Sequence, residues 1–158
     1  MVKQLCVLAV LVFVIGCGGG GGSAASRLDG SWLFTSPNGV GVGAIFSPDD
    51  TYVAMVIVVT AAGQNSGSLE MQVEKGRFSV SGDQLTSTPT HWTCPGPDPI
   101  DTATFSFSGQ DLVISSPTGF ITFAPNNAPT STATITATLG CFDANGAFTA
   151  SPLAPVTN

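Results

Sequence analysis

The sequence predicts an all-β fold in which an antiparallel up-and-down meander closes into a small barrel. Apolar residues alternate strictly with threonine between Thr132 and Leu139, and this period of two places one face of a strand in a core. Gly, Pro, Asn and Asp recur about every eight to twelve residues, which is the turn spacing of a barrel or a sandwich. No stretch after residue 26 has the period of a helix. The alternative is a β-sandwich, with consecutive strands divided between two sheets.

A repeated hairpin favours the meander. Phe78–Leu85 has the sequence FSVSGDQL, and Phe105–Leu112 has the closely similar FSFSGQDL. Each copy is a strand, a turn at a glycine and the start of a second strand, and glycine supplies the positive φ that tight hairpin turns need. Phe46–Tyr52 is a looser third copy that turns at Pro-Asp-Asp. Closing such hairpins into a barrel removes the exposed strand edges.

One predicted strand is apolar on both faces. It runs from Thr51 to Ala62 and includes YVAMVIVV. One face points into the barrel, and the other needs cover. The sequence therefore predicts a central strand packed on both sides, with an interaction surface as the alternative.

The first sixteen residues have the features of a signal peptide. Lys3 gives a positive start, and the uncharged run Leu5–Ile15 is too short to span a bilayer as a helix. Val14-Ile15-Gly16-Cys17 resembles the bacterial lipobox, in which the cysteine thiol is acylated and the chain is cut before it. The resemblance implies acyl chains, palmitate among them, on Cys17 as a membrane anchor.

The same resemblance implies a cellular location for the protein and a division of the chain into segments. Gly18, rather than Asp, follows the cysteine, and by similarity to enteric sorting rules this favours the outer membrane of a bacterial cell envelope. We expect a signal peptide at 1–16, a lipidated cysteine with a flexible Gly/Ser tether at 17–26, a barrel domain at 27–150 and a C-terminal tail at 151–158.

Two cysteines belong to the predicted domain. Cys94 and Cys141 are expected to form a disulfide, because paired cysteines are usual in exported domains. A metal site is the alternative, but only His91 is present to help and no C-x-x-C occurs.

The start of the domain resembles the lipocalins and the small lipocalin-like bacterial lipoproteins. Leu28-Asp29-Gly30-Ser31-Trp32 matches their Leu-x-Gly-x-Trp start, and the two glycine hairpins match their aromatic-x-aliphatic-x-Gly-Asp-x-Leu hairpins. The resemblance implies that Trp32 lies on the first strand and plugs one end of the barrel. Lipocalins also stack a late arginine on that tryptophan and end in a long helix. This chain has no arginine after Arg77, and Ala144–Asn158 is short and contains prolines.

No catalytic pattern stands out. His91 is the only histidine, no Gly-x-Ser-x-Gly elbow occurs, and the glycine runs Gly18–Gly22 and Gly39–Gly43 lack the lysine of a phosphate loop. We expect Asp49-Asp50 to lie in a turn. Asp98 and Asp101 are expected in a rigid proline-rich loop, with a weak calcium site as the alternative reading of these acids.

The charge of the chain argues against nucleic acid as a partner. Only 9% of residues are charged, with a formal net charge of −6. The domain and tether hold three basic residues, Arg27, Lys75 and Arg77, against ten acidic ones. Nucleic-acid binding needs a concentrated basic surface and is disfavoured.

Together these observations predict a protein that is not an enzyme and needs no cofactor. We expect it to be anchored in a membrane and to bind a small hydrophobic molecule or an envelope protein through its barrel. The alternative is a structural or surface-interaction module with no ligand cavity. The candidate residues of the barrel interior are Trp32, Phe34, Phe46, Phe78, Val80, Phe105 and Phe107.

Overall fold

The computed structural model describes residues 27–62, 66–94, 101–126 and 134–156. The described residues form strands and turns and contain no α-helix. The strands are β1 Gly30–Thr35, β2 Val40–Phe46, β3 Thr51–Ala62, β4 Ser66–Ser81, β5 Gln84–Trp92, β6 Asp101–Ser108, β7 Asp111–Ser116, β8 Gly119–Pro125, β9 Thr134–Phe142, β10 Phe148–Ala150 and β11 Ala154–Pro155.

Strands β1 to β8 form a closed antiparallel barrel in sequence order. Each pairs with the next along the chain, and β8 returns to β1, where Trp32 faces Pro125 and Leu33 faces Ala124. No crossing interrupts the order of these eight strands. The predicted up-and-down barrel is confirmed, and the alternative sandwich does not form.

The two glycine hairpins have the same turn geometry. Gly82 between β4 and β5 and Gly109 between β6 and β7 both have a φ of 65°. Between β2 and β3, Asp50 takes a similar left-handed φ of 62°, and its carbonyl accepts a 2.9 Å hydrogen bond from the N–H of Phe78. The sequence repeat therefore corresponds to a structural repeat, in which the third copy has aspartate where the others have glycine.

The long strand β4 belongs to the barrel over only half of its length. Its second half, Glu74–Ser81, pairs with β5, whereas its first half, Ser66–Met71, pairs with β9 in the parallel direction. β10 then pairs with the end of β9. At the outer half of the β3–β4 hairpin the sheet therefore continues outside the barrel through β9 and β10. We call this extension the second sheet, and the sequence did not predict it.

The disulfide lies where β5 and β9 meet along β4. Cys94 follows β5, Cys141 is near the end of β9, and their Cα atoms are 4.8 Å apart. Buried Thr93 pairs with Val73 at this junction, because its N–H bonds to the Val73 carbonyl at 3.0 Å and its hydroxyl accepts the Val73 N–H at 3.0 Å. The predicted pairing of the two cysteines is present, and it joins the barrel to the second sheet.

The segment predicted as a C-terminal tail packs on this junction. The hydroxyl of Ser151 donates to the Thr93 carbonyl. Ala154 and Pro155 then form β11 against the end of β5, next to Trp92 and His91. Residues 151–156 thus cross from the second sheet back to the barrel.

Strand β3 has buried side chains on both faces. Tyr52 points into the barrel, whereas Met55 and Ile57 belong to a second apolar cluster on the outer surface. The predicted central strand is thus packed on both sides. Its outer cluster includes side chains from β4, β9 and the C-terminal segment, namely Leu69, Val73, Met71, Ile135 and Leu153.

Candidate binding surfaces of the barrel

The barrel interior is a packed apolar cluster. All seven predicted interior residues belong to it: Trp32, Phe46, Phe78 and Phe105 are buried, and Phe34, Val80 and Phe107 are half-buried. The cluster also contains residues that were not among the candidates, namely Leu28, Ala44, Tyr52, Leu85, Leu112 and Phe123. Aromatic edge-to-face contacts run through it, such as Phe46 on Phe78 with ring centroids 5.0 Å apart.

One end of the barrel is closed by the residues that precede β1. The indole Nε1 of Trp32 donates a 2.7 Å hydrogen bond to the carbonyl of Leu28, whose side chain is fully buried. The Arg27 guanidinium lies 4.3 Å from the centre of the Phe107 ring, and that ring contacts Trp32 at 5.9 Å. A cation therefore does lie beside the end-capping aromatics, although it comes from the start of the domain rather than from a late strand.

A polar pair lies between neighbouring strands of the barrel. The hydroxyl of buried Tyr52 donates to Oε1 of half-buried Glu74 on β4. Gly76 is two residues further along, next to a register shift, and a Cβ there would overlap both the Thr88 carbonyl and the Tyr52 ring. The absence of a side chain at Gly76 thus lets the Tyr52 ring lie against the strand.

The outer cluster lies over glycines of β2. A Cβ on Gly41 would be 3.6 Å from the Cβ of Ile57, and one on Gly43 would be 3.1 Å from the Cγ of Met55. The glycine run at 39–43 thus makes room for β3 side chains. A recess of about 10 Å³ lies beside these glycines and is lined in part by Leu33. This volume has room for one water molecule at most.

Large apolar side chains are exposed at the opposite end of the barrel from Trp32. Phe120 is 74% exposed and Ile121 is 37% exposed, both just after the turn between β7 and β8. The turn before β8 lies next to the last residues of β1, whereas the N-terminal turn precedes the first residues of β1. These two turns are therefore at opposite ends of the barrel. The end far from the chain's entry into the barrel is therefore the one that presents apolar groups.

The described side chains considered for catalysis or metal binding lie apart from one another. His91 is exposed on β5, where its Nδ1 is 3.2 Å from the Thr90 hydroxyl, and its neighbours across the strands are Lys75 and Pro155. Among the described residues, no three His, Cys, Asp or Glu side chains are grouped as a metal site would require. Asp98 lies outside the described residues, and Asp101 is exposed at the start of β6.

Two carboxyl groups near the capped end have shifted pKa values. The Thr51 hydroxyl donates a 2.6 Å hydrogen bond to Oδ1 of Asp49 and lowers the pKa of that carboxyl. Burial raises the pKa of Asp29, and the charge of Asp50 adds to the rise. Asp49 thus acts as a turn residue, as its Pro-Asp-Asp context predicts.

Comparison with known proteins adds no relative: no family model, no curated protein and no solved structure matches the chain. Cys17 and the rest of residues 1–26, which hold the predicted signal peptide, anchor and tether, lie outside the described residues. No helix within the described ranges is long and apolar enough to cross a membrane.

Sequence reasoning missed two of the polar contributors to the barrel. Arg27 was counted only with the net charge, because its contact with the Phe107 ring depends on closure of the barrel. Glu74 was not singled out, because the apolar residues of β4 change there from the outer face, with Val73, to the barrel face, with Phe78.

Proposed function

We propose that the protein is a lipid-anchored lipoprotein of the bacterial cell envelope whose barrel contacts a protein partner. The observation that carries the partner-binding role is the packed barrel interior. Fourteen apolar residues of the described chain are buried, and ten of them form one cluster inside the barrel. Side chains thus occupy the space in which a larger barrel holds a ligand.

The anchor is supported by the lipobox resemblance and by where the chain enters the barrel. Residue 27 lies beside the capped end, so a tether over 17–26 would hold that end toward the membrane. Phe120 and Ile121 would then face away from the lipid surface. The 74% exposed ring of Phe120 is suited to contact with another protein, because aromatic side chains are enriched at protein interfaces.

A small hydrophobic ligand is the second candidate, because half-buried apolar residues such as Phe34 and Ile114 border the interior cluster. The recess of about 10 Å³ on the outer surface is far smaller than a ligand pocket, which needs roughly 300 Å³ or more. The packing therefore favours the protein partner.

Native mass spectrometry of the full chain, gently extracted from the membrane of the cell that makes it, tests both the lipid anchor and the absence of a small ligand. We expect a mature chain that begins at Cys17 with the added mass of acyl chains and carries no small molecule. Cys17→Ser should lose the acyl mass and leave the membrane fraction. A chain that keeps residues 1–16, or that lacks acyl mass, contradicts the anchor. A retained small molecule contradicts the packed-interior argument alone.

A further inference from the structure

The described strands leave one edge of β9 open over part of its length. On one side, β9 pairs with Ser66–Met71 of β4. On the other side, β10 covers only Gly140–Phe142. Among the described strands, none pairs with this edge of β9 between Thr134 and Thr138. The open edge is therefore a short template for another strand.

Two hydrogen bonds of β9 establish which backbone groups point to that edge. The Leu139 carbonyl accepts a 3.0 Å bond from the Ser151 N–H, on the side of β10. The Phe142 N–H donates to Oε1 of Gln72 at 3.1 Å, on the side of β4. Because the N–H and C=O of one residue point the same way and the direction alternates along a strand, the odd-numbered residues of β9 face the open edge.

Ile135 and Ala137 thus direct their N–H and C=O groups away from β4. The side chains of Thr136, Ala137 and Thr138 are exposed, and Leu139 is 37% exposed. Natural edge strands are usually protected by lysine, proline or a bulge. Residues 134–142 contain no charged residue and no proline, and their pairing with β4 has no register shift.

We propose that the open edge of β9 pairs with the same edge of a second copy of this chain, in the antiparallel direction, around a two-fold axis at Thr136. In this register, Ile135 of each copy lies opposite Ala137 of the other. Both residues direct their backbone groups to the edge, so each such pair is hydrogen-bonded. A register centred on Ala137 would instead place Ile135 opposite Leu139, whose carbonyl already bonds Ser151.

Charge and side-chain pattern favour a second copy over another protein. The chain is acidic, with a formal net charge of −6, and the neutral edge lets two copies meet without like charges face to face. The two Thr136 side chains would pair on one face of the joined sheet. On the other face, Ile135 would continue the outer apolar cluster toward the second copy. A two-fold contact of one patch with itself is the commonest symmetry of oligomers.

Cysteine crosslinking in the full chain tests the register. Thr136→Cys places two thiols at the axis, at a non-hydrogen-bonded pair with Cα atoms about 4.5 Å apart, and a disulfide requires about 4.4–6.8 Å. We expect mild oxidation of this variant in its membrane to give a covalent dimer well above the background of the parent protein. Thr138→Cys, on the same exposed face, would lie opposite residue 134 of the other copy and should stay at background.

A proline variant tests whether backbone pairing makes the contact. Ala137→Pro removes an N–H that faces the open edge and leaves the pairing with β4 in place, so the protein should fold while Thr136→Cys/Ala137→Pro loses its dimer. Circular dichroism and the thermal midpoint report whether the fold is retained. Equal crosslinking of Thr136→Cys and Thr138→Cys overturns the proposal. A folded proline double variant that still crosslinks like Thr136→Cys also overturns it, and neither result bears on the anchor or the partner at Phe120.

Discussion

The indole Nε1 of Trp32 donates a 2.7 Å hydrogen bond to the backbone carbonyl of Leu28, and both side chains are buried. The bond connects the turn before the barrel to the first strand. It also explains why tryptophan suits this position: the ring packs against Phe107 while the N–H satisfies a carbonyl that would otherwise be buried without a partner. The Gly-x-Trp start thus has a physical role in closing the barrel.

Removal of this bond should destabilise the domain. Trp32→Phe keeps much of the apolar volume but leaves the Leu28 carbonyl without its donor, and we expect a loss of about 1–3 kcal/mol in the free energy of unfolding. Urea unfolding followed by circular dichroism measures it. Trp92→Phe is the matched control, because Trp92 is half-buried and lies outside both apolar clusters. Equal losses in the two variants would contradict this role of the Trp32 indole.

The disulfide should stabilise the second sheet more than the barrel. Cys94 and Cys141 are separated by 47 residues in sequence, so Cys94→Ser/Cys141→Ser should lose about 2–4 kcal/mol. Because the bond holds β9 beside β5, amide hydrogen exchange should rise most in Thr134–Phe142. The matched strand is β7 Asp111–Ser116, which pairs only within the barrel. A uniform rise across β7 and β9 would show that the disulfide stabilises the whole domain instead.

The barrel could be predicted because its signals are local. The alternation of apolar and polar residues identifies a strand within a few residues, and a glycine with positive φ, such as Gly82 or Gly109, identifies its hairpin. Consecutive hairpins then leave few topologies. The two apolar faces of β3 also indicated cover on both sides, and the outer cluster provides it.

The second sheet could not be predicted, because its partners are distant in sequence. The alternation around Ile135 and Ala137 predicts a strand with one apolar face. It does not indicate which other strand β9 pairs with, or whether that pairing is parallel or antiparallel. The parallel pairing with Ser66–Met71 depends on the β3–β4 hairpin extending beyond the barrel. The position of Arg27 on Phe107 likewise depends on closure of the barrel, which brings β6 beside the N-terminal turn.

Substitution of Gly76 should test the close approach of Tyr52 to β4. Gly76→Ala places a Cβ against the Thr88 carbonyl, which cannot move without disturbing the β4–β5 ladder, and against the Tyr52 ring. We expect a loss of about 1–3 kcal/mol, as for other overpacked sites. In Gly41→Ala the added Cβ meets Ile57 at an ordinary 3.6 Å and should cost clearly less. Thermal unfolding compares the two, and a greater loss in the Gly41 variant would contradict the assignment.

Asp49 should stabilise the protein above acidic pH. Its folded-state pKa is lowered, first by the hydrogen bond from the Thr51 side chain, so its contribution is present above the unfolded value of about 3.9 and is lost as the pH falls through the folded value. Asp49→Asn should therefore be less stable than the parent at pH 7, and the two should converge in acid. Urea unfolding at a series of pH values measures the difference. A difference that persists unchanged in acid would mean that the charge of Asp49 is not its cause.

The contribution of Asp29 to stability should depend on pH in the opposite way to that of Asp49, because burial, assisted by the charge of Asp50, raises the pKa of Asp29. The folded state then binds the proton more tightly than the unfolded state, so stability falls as the pH rises from the unfolded value of about 3.9 through the folded value. Asp29→Asn removes that cost and should be more stable than the parent at pH 7 by less than about 1 kcal/mol, with no gain in acid. The control is Asp50→Asn, which removes the smaller of the two causes and should recover only part of the gain. If Asp29→Asn and Asp49→Asn shift the urea midpoint in the same direction at pH 7, the opposite environments assigned to these two carboxyl groups are wrong.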